Sequence, residues 1–261
     1  MRAVMKLEPL KIQHDLVAWL TVAGDKIRQS LTEELQVNTK SGRNDLVTNR
    51  DKEIERFYVN QIRTYYPEAR IYGEEGLGDE INDLSGLIFF VDPIDGTMNF
   101  VKQKENFATM IGVYLDGEPI VGGILDVMAQ RLVVGGPQTG VMLNGRPLSK
   151  RPSLDIKDGL IGVNSRMLSE NINQVTDLIR LSSGARITGS AGVEFSQVIM
   201  GKQIGYISNL SPWDVAAGWA IASALNIEAH TIAGQRPSLL KREIIIAGIP
   251  TVWQNFAKLQ S

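Results

Sequence analysis

Three features of this 261-residue chain predict a mixed fold, an antiparallel sheet with helices in the N-terminal half (α+β) and a smaller α/β C-terminal half. Two long segments with helical apolar spacing open the chain, and a series of apolar strands divided by turn residues comes after them. Beyond about residue 150, shorter strands alternate with helices. A hydrophobic fraction of 43% is enough to bury a sizeable core, as one large domain or as two closely packed halves.

Residues 10 to 35 place Leu10, Leu16, Trp19, Leu20, Ile27 and Leu31 at near-helical spacing, which predicts a first amphipathic helix. A second is expected over about 49 to 66, where Ile54, Phe57, Tyr58 and Ile62 share a face and Pro67 stops it. Strands come next. ARIYG leads to Glu74, GLIFFV leads to Asp92, and ATMIGVYL, PIVGGILDV and RLVVGG are separated by turns such as Asp116-Gly117. This reads as an antiparallel meander beside helices. The polar stretch NGRPLSKRPS sets a boundary between residues 1–148 and 149–261. After it, GLIGV, a helix over about 169 to 181, GARIT, a helix near 191 to 200 and QIGYI read as α/β units.

Composition excludes several classes of function. Twenty-seven basic against 29 acidic residues leave a formal charge of −2, which offers no field for non-specific attraction to nucleic acid or membrane. With no cysteine there is no disulfide, thiolate nucleophile or zinc-thiolate site, in keeping with a reducing compartment. The longest apolar runs, GLIFFV and EIIIAGI, fall far short of the roughly 18 residues of a membrane span. The N-terminal MRAVMKLEPLKIQHDL lacks the apolar core and small-residue cleavage site of a signal peptide, so the expected location is cytoplasmic.

The chemistry gathers around FFVDPIDGT, residues 89 to 97. An apolar strand delivers Asp92 and Asp95 around a turn that Pro93 pre-shapes, and two carboxylates so placed can face one cation. Glu74 follows an earlier strand in YGEEG, and Asp214 sits in SPWDVAAG where a loop opens a helix. These acids are candidates to converge. At an effective dielectric of about 20, two unit charges ~4 Å apart repel by about 4 kcal/mol, so a cluster of four acids needs cations. Oxygen donors, no cysteine, and two histidines in unpromising contexts, His14 and His230, favour a hard ion such as Mg²⁺. Mg²⁺ in turn points to a phosphorylated substrate.

GEE at 73 to 75, DPIDGT at 92 to 97 and WDVAAG at 213 to 218, in this order and spacing, resemble the inositol monophosphatase family of Mg²⁺-dependent, lithium-sensitive phosphatases. The resemblance extends from KSGRNDLVTNRD at 40 to 51 through the VMLNGRPL hairpin to the last strand. It implies a layered αβαβα sandwich and a site with two or three Mg²⁺ ions. Glu74, Asp92 and the carbonyl of Ile94 would hold one ion; Asp92, Asp95 and Asp214 would hold another. Asp51 and Thr97 would orient the water that attacks in line, with Glu74 counted among the catalytic groups, and the amides of Gly96 and Thr97 would cradle the phosphate. Asp95 would also face the substrate.

The same resemblance assigns Gly189, Ser190 and Ala191 to contacts with substrate hydroxyls and Arg186 to a nearby basic position. One stretch departs from the pattern. Where inositol-preferring members carry a glutamate before the WD pair, this chain reads GYISNLSPWD, with Ser208 or Asn209 nearest that place. Fructose 1,6-bisphosphate, a phosphorylated nucleotide and NADP therefore stand beside inositol phosphate as substrates. Glu75 reads as a solvated or supporting acid, Lys40 and the Lys150-Arg151 pair as exposed, and Trp213 as packing that positions Asp214. Two rivals stand against this reading. Haloacid-dehalogenase-like phosphatases carry a DxDGT element, but the acids here are three residues apart rather than two. A binding role at transcription or RNA-processing machinery is the other, while the expected assembly is a homodimer.

Overall fold

A computed structural model describes residues 7–33, 36–39 and 46–260. Lys40 and the first part of KSGRNDLVTNRD lie outside the described residues, as do the first six of the chain. In order the elements are α1 (Pro9–Ser30), β1 (Val37–Thr39), β2 (Leu46–Thr48), α2 (Asn49–Tyr65), β3 (Arg70–Gly73), β4 (Leu87–Asp95) and α3 (Thr97–Lys102). The meander continues through β5 (Ala108–Leu115), β6 (Glu118–Asp126), β7 (Arg131–Gly136), β8 (Gly140–Leu143) and β9 (Arg146–Leu148). The remainder is β10 (Leu160–Val163), α4 (Ser165–Ser169), α5 (Val175–Leu181), β11 (Gly184–Arg186), α6 (Ala191–Ile199), β12 (Gly205–Leu210), α7 (Pro212–Ala222), β13 (Glu228–Thr231), β14 (Glu243–Gly248) and α8 (Pro250–Gln260).

A seven-stranded sheet runs in the order β3-β4-β5-β6-β7-β8-β9, and a five-stranded sheet in the order β11-β10-β12-β14-β13. Side-chain alternation builds the layers between them. On β4, Leu87, Phe89 and Val91 join Leu16 and Leu20 of α1 and Ile54 and Tyr58 of α2 in one core, whereas Ile88 and Phe90 join Phe195 of α6 and Ala216 of α7 in another. On β14, Ile245 and Ala247 face that second core, while Ile246 packs with Val252 and Phe256 of α8. The result is the αβαβα sandwich: α1 and α2, the large sheet, α6 and α7, the small sheet, then α8 with α4 and α5. Each large apolar side chain so buried contributes about 1.5–3 kcal/mol.

The middle layer is close-packed. A Cβ at Gly112 on β5 would meet the backbone carbon of Ala216 at 2.6 Å, and one at Gly122 on β6 would meet the Ala217 carbonyl oxygen at 2.2 Å. Bare strands at these two places let α7 lie directly on the sheet.

Several boundaries differ from the sequence expectation. The first helix stops at Ser30 with Leu31 as its cap, and Leu10 is exposed rather than on the buried face. The helix expected over 169 to 181 is broken, because Asn171, Asn173 and Gln174 adopt left-handed backbone conformations between α4 and α5. Asparagine tolerates that region, and the Asn171 side chain secures the start of α5 by accepting from the Thr176 amide at 2.9 Å. The ARIYG strand runs parallel to its neighbour β4, so the meander is antiparallel only from β4 onward. No helix among the described residues is long and apolar enough to cross a membrane.

Candidate active site

Asp92 and Asp95 are both on β4, where period-two alternation would send residues three apart to opposite faces. The register shows why it does not. Asp92 pairs with Met110 and Asp95 with Ala108, so β4 takes three steps while β5 takes two. The extra residue makes a bulge across Pro93 and Ile94, where proline has no N–H to offer the ladder. The segment expected to be a turn is thus a bulged strand, and the bulge turns both carboxylates toward α6 and α7.

Asp95 meets the start of α6. It accepts the Ala191 amide at 2.9 Å, the Gly192 amide at 2.8 Å and the Ser190 hydroxyl, while Ser190 Oγ accepts from the Val193 amide at 3.2 Å. Ser190 and Ala191, expected to face substrate hydroxyls, therefore hold Asp95 in place. Asp92 is the opposite case. Only 1% exposed, it leaves Oδ1 without any hydrogen-bond partner.

Two more acids arrive on helix N-termini. Asp214 is the third residue of α7, and its Oδ2 accepts the Ser211 amide at 2.7 Å. Asp51 is the third residue of α2 and accepts the Thr48 amide at 2.8 Å and the Thr48 hydroxyl at 2.6 Å through Oδ2. Its Oδ1 takes the Thr97 hydroxyl at 3.2 Å, which also lies 3.0 Å from the Ile94 carbonyl. One proton serves only one of these two acceptors at a time. Gly96, left-handed at φ 83°, caps the short α3 that starts at Thr97, and a Cβ there would meet Ser190 at 2.9 Å.

Ligand oxygens of Asp92, Asp95 and Asp214 all lie within 4.8 Å of one another. Crowding and burial raise their proton affinity. Burial, followed by the charges of Glu74, Asp95 and Asp214, pushes Asp92 well above the usual carboxylate range. Burial pushes Asp214 up to about 7, with Asp95 and Glu74 adding. Asp95 rises to about 6, again chiefly through burial, although its three hydrogen bonds pull it down. Burial likewise lifts Asp51 to about 6. Glu74 follows β3, its amide bonded to the Val91 carbonyl at 3.2 Å, and its carboxyl hydrogen-bonds Asp92.

A cavity of about 340 Å³ adjoins the cluster, lined by Asp95, Asp214, Gly189, Ala191, Ser208 and Asn209 among others. Arg186 lines a separate cavity with Gln197 and Lys202, so the structure does not gather it with the acids.

Four supporting residues carry no place in the sequence reading. Glu55 on α2, fully buried, accepts the Glu75 amide at 2.6 Å and the Leu77 amide at 2.8 Å, which fixes the loop carrying Glu74. Its signal was an acid four residues after Asp51, on the same helix face. Thr48 was legible as the start of a capping box. Asn99 ties α3 to the Gly189 segment by donating to the carbonyls of Asn106 and Thr188 at 2.8 and 2.7 Å. Arg242 lines the cavity and draws Asp214 downward. Neither Asn99 nor Arg242 had a local signal, because their partners are remote in sequence.

Comparison with known proteins shows the family and the fold. The model of the inositol monophosphatase family matches residues 10–260. The chain is 38% identical over 239 residues to the inositol-1-monophosphatase of Bacillus subtilis, covering 90% of each chain. It is 34% identical over 244 residues to the Nus factor SuhB of Vibrio cholerae, covering 89% of this chain and 91% of that one. A crystal structure of an IMPase/NADP phosphatase complexed with Mg²⁺ and phosphate superposes with a TM-score of 0.87 at 30% identity, over 96% of this chain and 95% of that one. On the sequence match across its length and the shared fold, this chain belongs to the inositol monophosphatase family and is a phosphatase, a phosphoric monoester hydrolase.

Proposed function

We propose that this phosphatase depends on Mg²⁺ and hydrolyses a phosphate monoester of a small polyol or sugar, as inositol monophosphate is. Fructose 1,6-bisphosphate, a 3′-phosphorylated nucleotide and NADP are the alternatives. The observation that carries metal dependence is Asp92 Oδ1, buried without a partner among three carboxylates. A buried anionic oxygen is costly unless something neutralises it, and an all-oxygen donor set fits a hard divalent cation. In this reading Glu74, Asp92 and the Ile94 carbonyl hold one ion and Asp92, Asp95 and Asp214 another, with two or three ions in turnover. When bound, the ions lend positive charge to the phosphoryl oxygens and make water acidic enough to attack.

The chain's own groups supply orientation. Thr97, donating its proton to Asp51, turns its lone pairs toward an attacking water. As the water attacks, its proton passes to the Thr97 hydroxyl while the Thr97 proton passes to the Asp51 carboxylate, which becomes the neutral acid. Amides of Gly96 and Thr97 receive phosphate oxygens at the start of α3. Gly189, Ala191 and Ser208 face the leaving alcohol, Ser190 acts through Asp95, and Arg186 stays at the periphery. Inhibition by millimolar Li⁺, a homodimeric assembly measurable by light scattering, and a cytoplasmic location complete the proposal.

Phosphate release from inositol 1-phosphate, fructose 1,6-bisphosphate, adenosine 3′,5′-bisphosphate and NADP, before and after EDTA, tests it. Turnover of at least one substrate, abolished by EDTA and restored by Mg²⁺, is expected. Turnover untouched by EDTA would reject the metal assignment, and trapping of a phosphoaspartate would reject direct attack by water. The 34% identity to a Nus factor supports a second reading, an added role in transcription. A cellular phenotype preserved in an inactive Asp95→Asn variant is the observation that would establish it.

A further inference from the structure

Arg242 stands where β14 begins, on the wall of the cavity beside the acid cluster. The other charged groups lining that cavity, Asp95, Asp214 and Glu194, are all acids, so among the described residues Arg242 is its one lining cation. The guanidinium is tethered along one edge: its Nε donates to Ser211 Oγ at 3.0 Å, at the cap of the helix that carries Asp214. Among the described residues, its two terminal nitrogens make no hydrogen bond and it pairs with no carboxylate within ion-pair distance. By contrast Arg236, six residues earlier, is paired through both terminal nitrogens with Glu118 at 2.9 and 3.1 Å. Besides the acids, the cavity lining carries the neutral polar residues Ser208, Asn209, Asn164 and Ser165.

A guanidinium held at Nε with its terminal N–H groups free is a preformed fork for a tetrahedral oxyanion, and the tether lowers the entropy lost on binding. The cavity, at about 340 Å³, lies within the range of small-ligand sites. We propose that Arg242 binds a second phosphate carried by the leaving alcohol, so that the enzyme prefers bisphosphorylated over monophosphorylated substrates. This rests on the phosphatase reading above and adds to it the class of substrate and the residue that selects it.

The test compares kcat/KM for fructose 1,6-bisphosphate and for inositol 1-phosphate in wild type, Arg242→Gln and Arg242→Lys. The bisphosphate-to-monophosphate ratio is expected to exceed 1 in the wild type and to fall about 10- to 100-fold in Arg242→Gln, the worth of hydrogen bonds to a charged group. Arg242→Lys should recover part of it, since a point charge replaces the fork. An equal loss on both substrates would overturn the proposal and make Arg242 a support for Ser211 and Asp214. An unchanged ratio would overturn it as well. A second readout does not need turnover: fructose 1,6-bisphosphate should raise the melting temperature of the wild type more than inositol 1-phosphate does, and Arg242→Gln should erase the difference. Wild-type protein that hydrolyses neither ester yet shows this difference would reject the phosphatase reading of these substrates while keeping the second-phosphate site; absence of the difference would reject the site.

Discussion

Asp92 and Asp95 stand three residues apart on one bulged strand, whereas Asp51 and Asp214 come from the first turns of two helices on opposite faces of the large sheet. The helix-borne acids resemble each other closely. Each sits at the third helical position and holds the amide of its own cap residue with one oxygen, which leaves the second oxygen for the site. The strand-borne acids diverge. Both oxygens of Asp95 accept protein hydrogen bonds, while Asp92 keeps one with no partner at all. Acids on helix caps are thus stabilised by local structure whether or not a ligand is present, while Asp92, touched by the Glu74 carboxyl, keeps one oxygen that only something bound can satisfy.

The sharpest break of that contrast is Asp92→Asn. Replacing the least compensated acid should lower kcat/KM by about 1,000-fold or more while raising the melting temperature of the metal-free protein, because the cost of burying an ionisable acid among other acids, or of keeping it protonated there, is removed. Phosphate-release assays and calorimetry check both arms, and a variant that melts lower without metal would contradict the asymmetry. Next in size is Gly112→Ala. The new methyl meets α7 backbone at 2.6 Å, so the helix that delivers Asp214 must shift; activity should fall about 10- to 100-fold and stability by about 1–3 kcal/mol, the ordinary cost of overpacking. An active, equally stable variant would mean that α7 position does not set the site.

A pH series sharpens the comparison further. Asp214 near 7 and Asp51 and Asp95 near 6 bind protons more tightly folded than unfolded. Their stabilisation is therefore complete below the usual carboxylate range and is lost as pH rises through about 6 to 7. Without metal, the melting temperature should fall over that window. With Mg²⁺ it should not, since the cation favours the ionised acids, and Mg²⁺ affinity should rise with pH as the ion displaces protons. A metal-free melting temperature that climbs across the window would reverse this sign. The smallest effect is expected from Thr48→Ala, which strips the hydroxyl from the cap but leaves the Thr48 amide on Asp51. A loss of about 1 kcal/mol, or about 2–4 °C, with activity within a few-fold of wild type is the expected result.

Much of this site is legible in the sequence. The spacing of GEE, DPIDGT and WDVAAG marks the acids, and the apolar run before Asp92 marks the strand that carries two of them. Thr48 and Ser211, each three residues before an acid, add a capping signal whose meaning the hydrogen bonds make plain. Other parts have no local signature. Ser190 reads, through the resemblance, as a contact to substrate hydroxyls, yet it is 2% exposed and bonded to Asp95, ninety-five positions away. Arg242 and Asn99 are ordinary in their own segments and acquire meaning only from neighbours on other elements.

The amino-acid order by itself determined most of the secondary elements and the apolar faces they bury, and its motifs, through the family resemblance, the five-layer stacking and the candidate acids. These depend on periodicity, on proline and glycine chemistry, and on side chains whose character does not change with their neighbours. Tertiary structure alone decided that Asp92 would be left without a partner, that Asp95 would be satisfied by α6, and that the glycine faces of β5 and β6 would let α7 bring Asp214 to them. Electrostatic cost and ligand capacity depend on distance and burial, and both are set by how the layers pack.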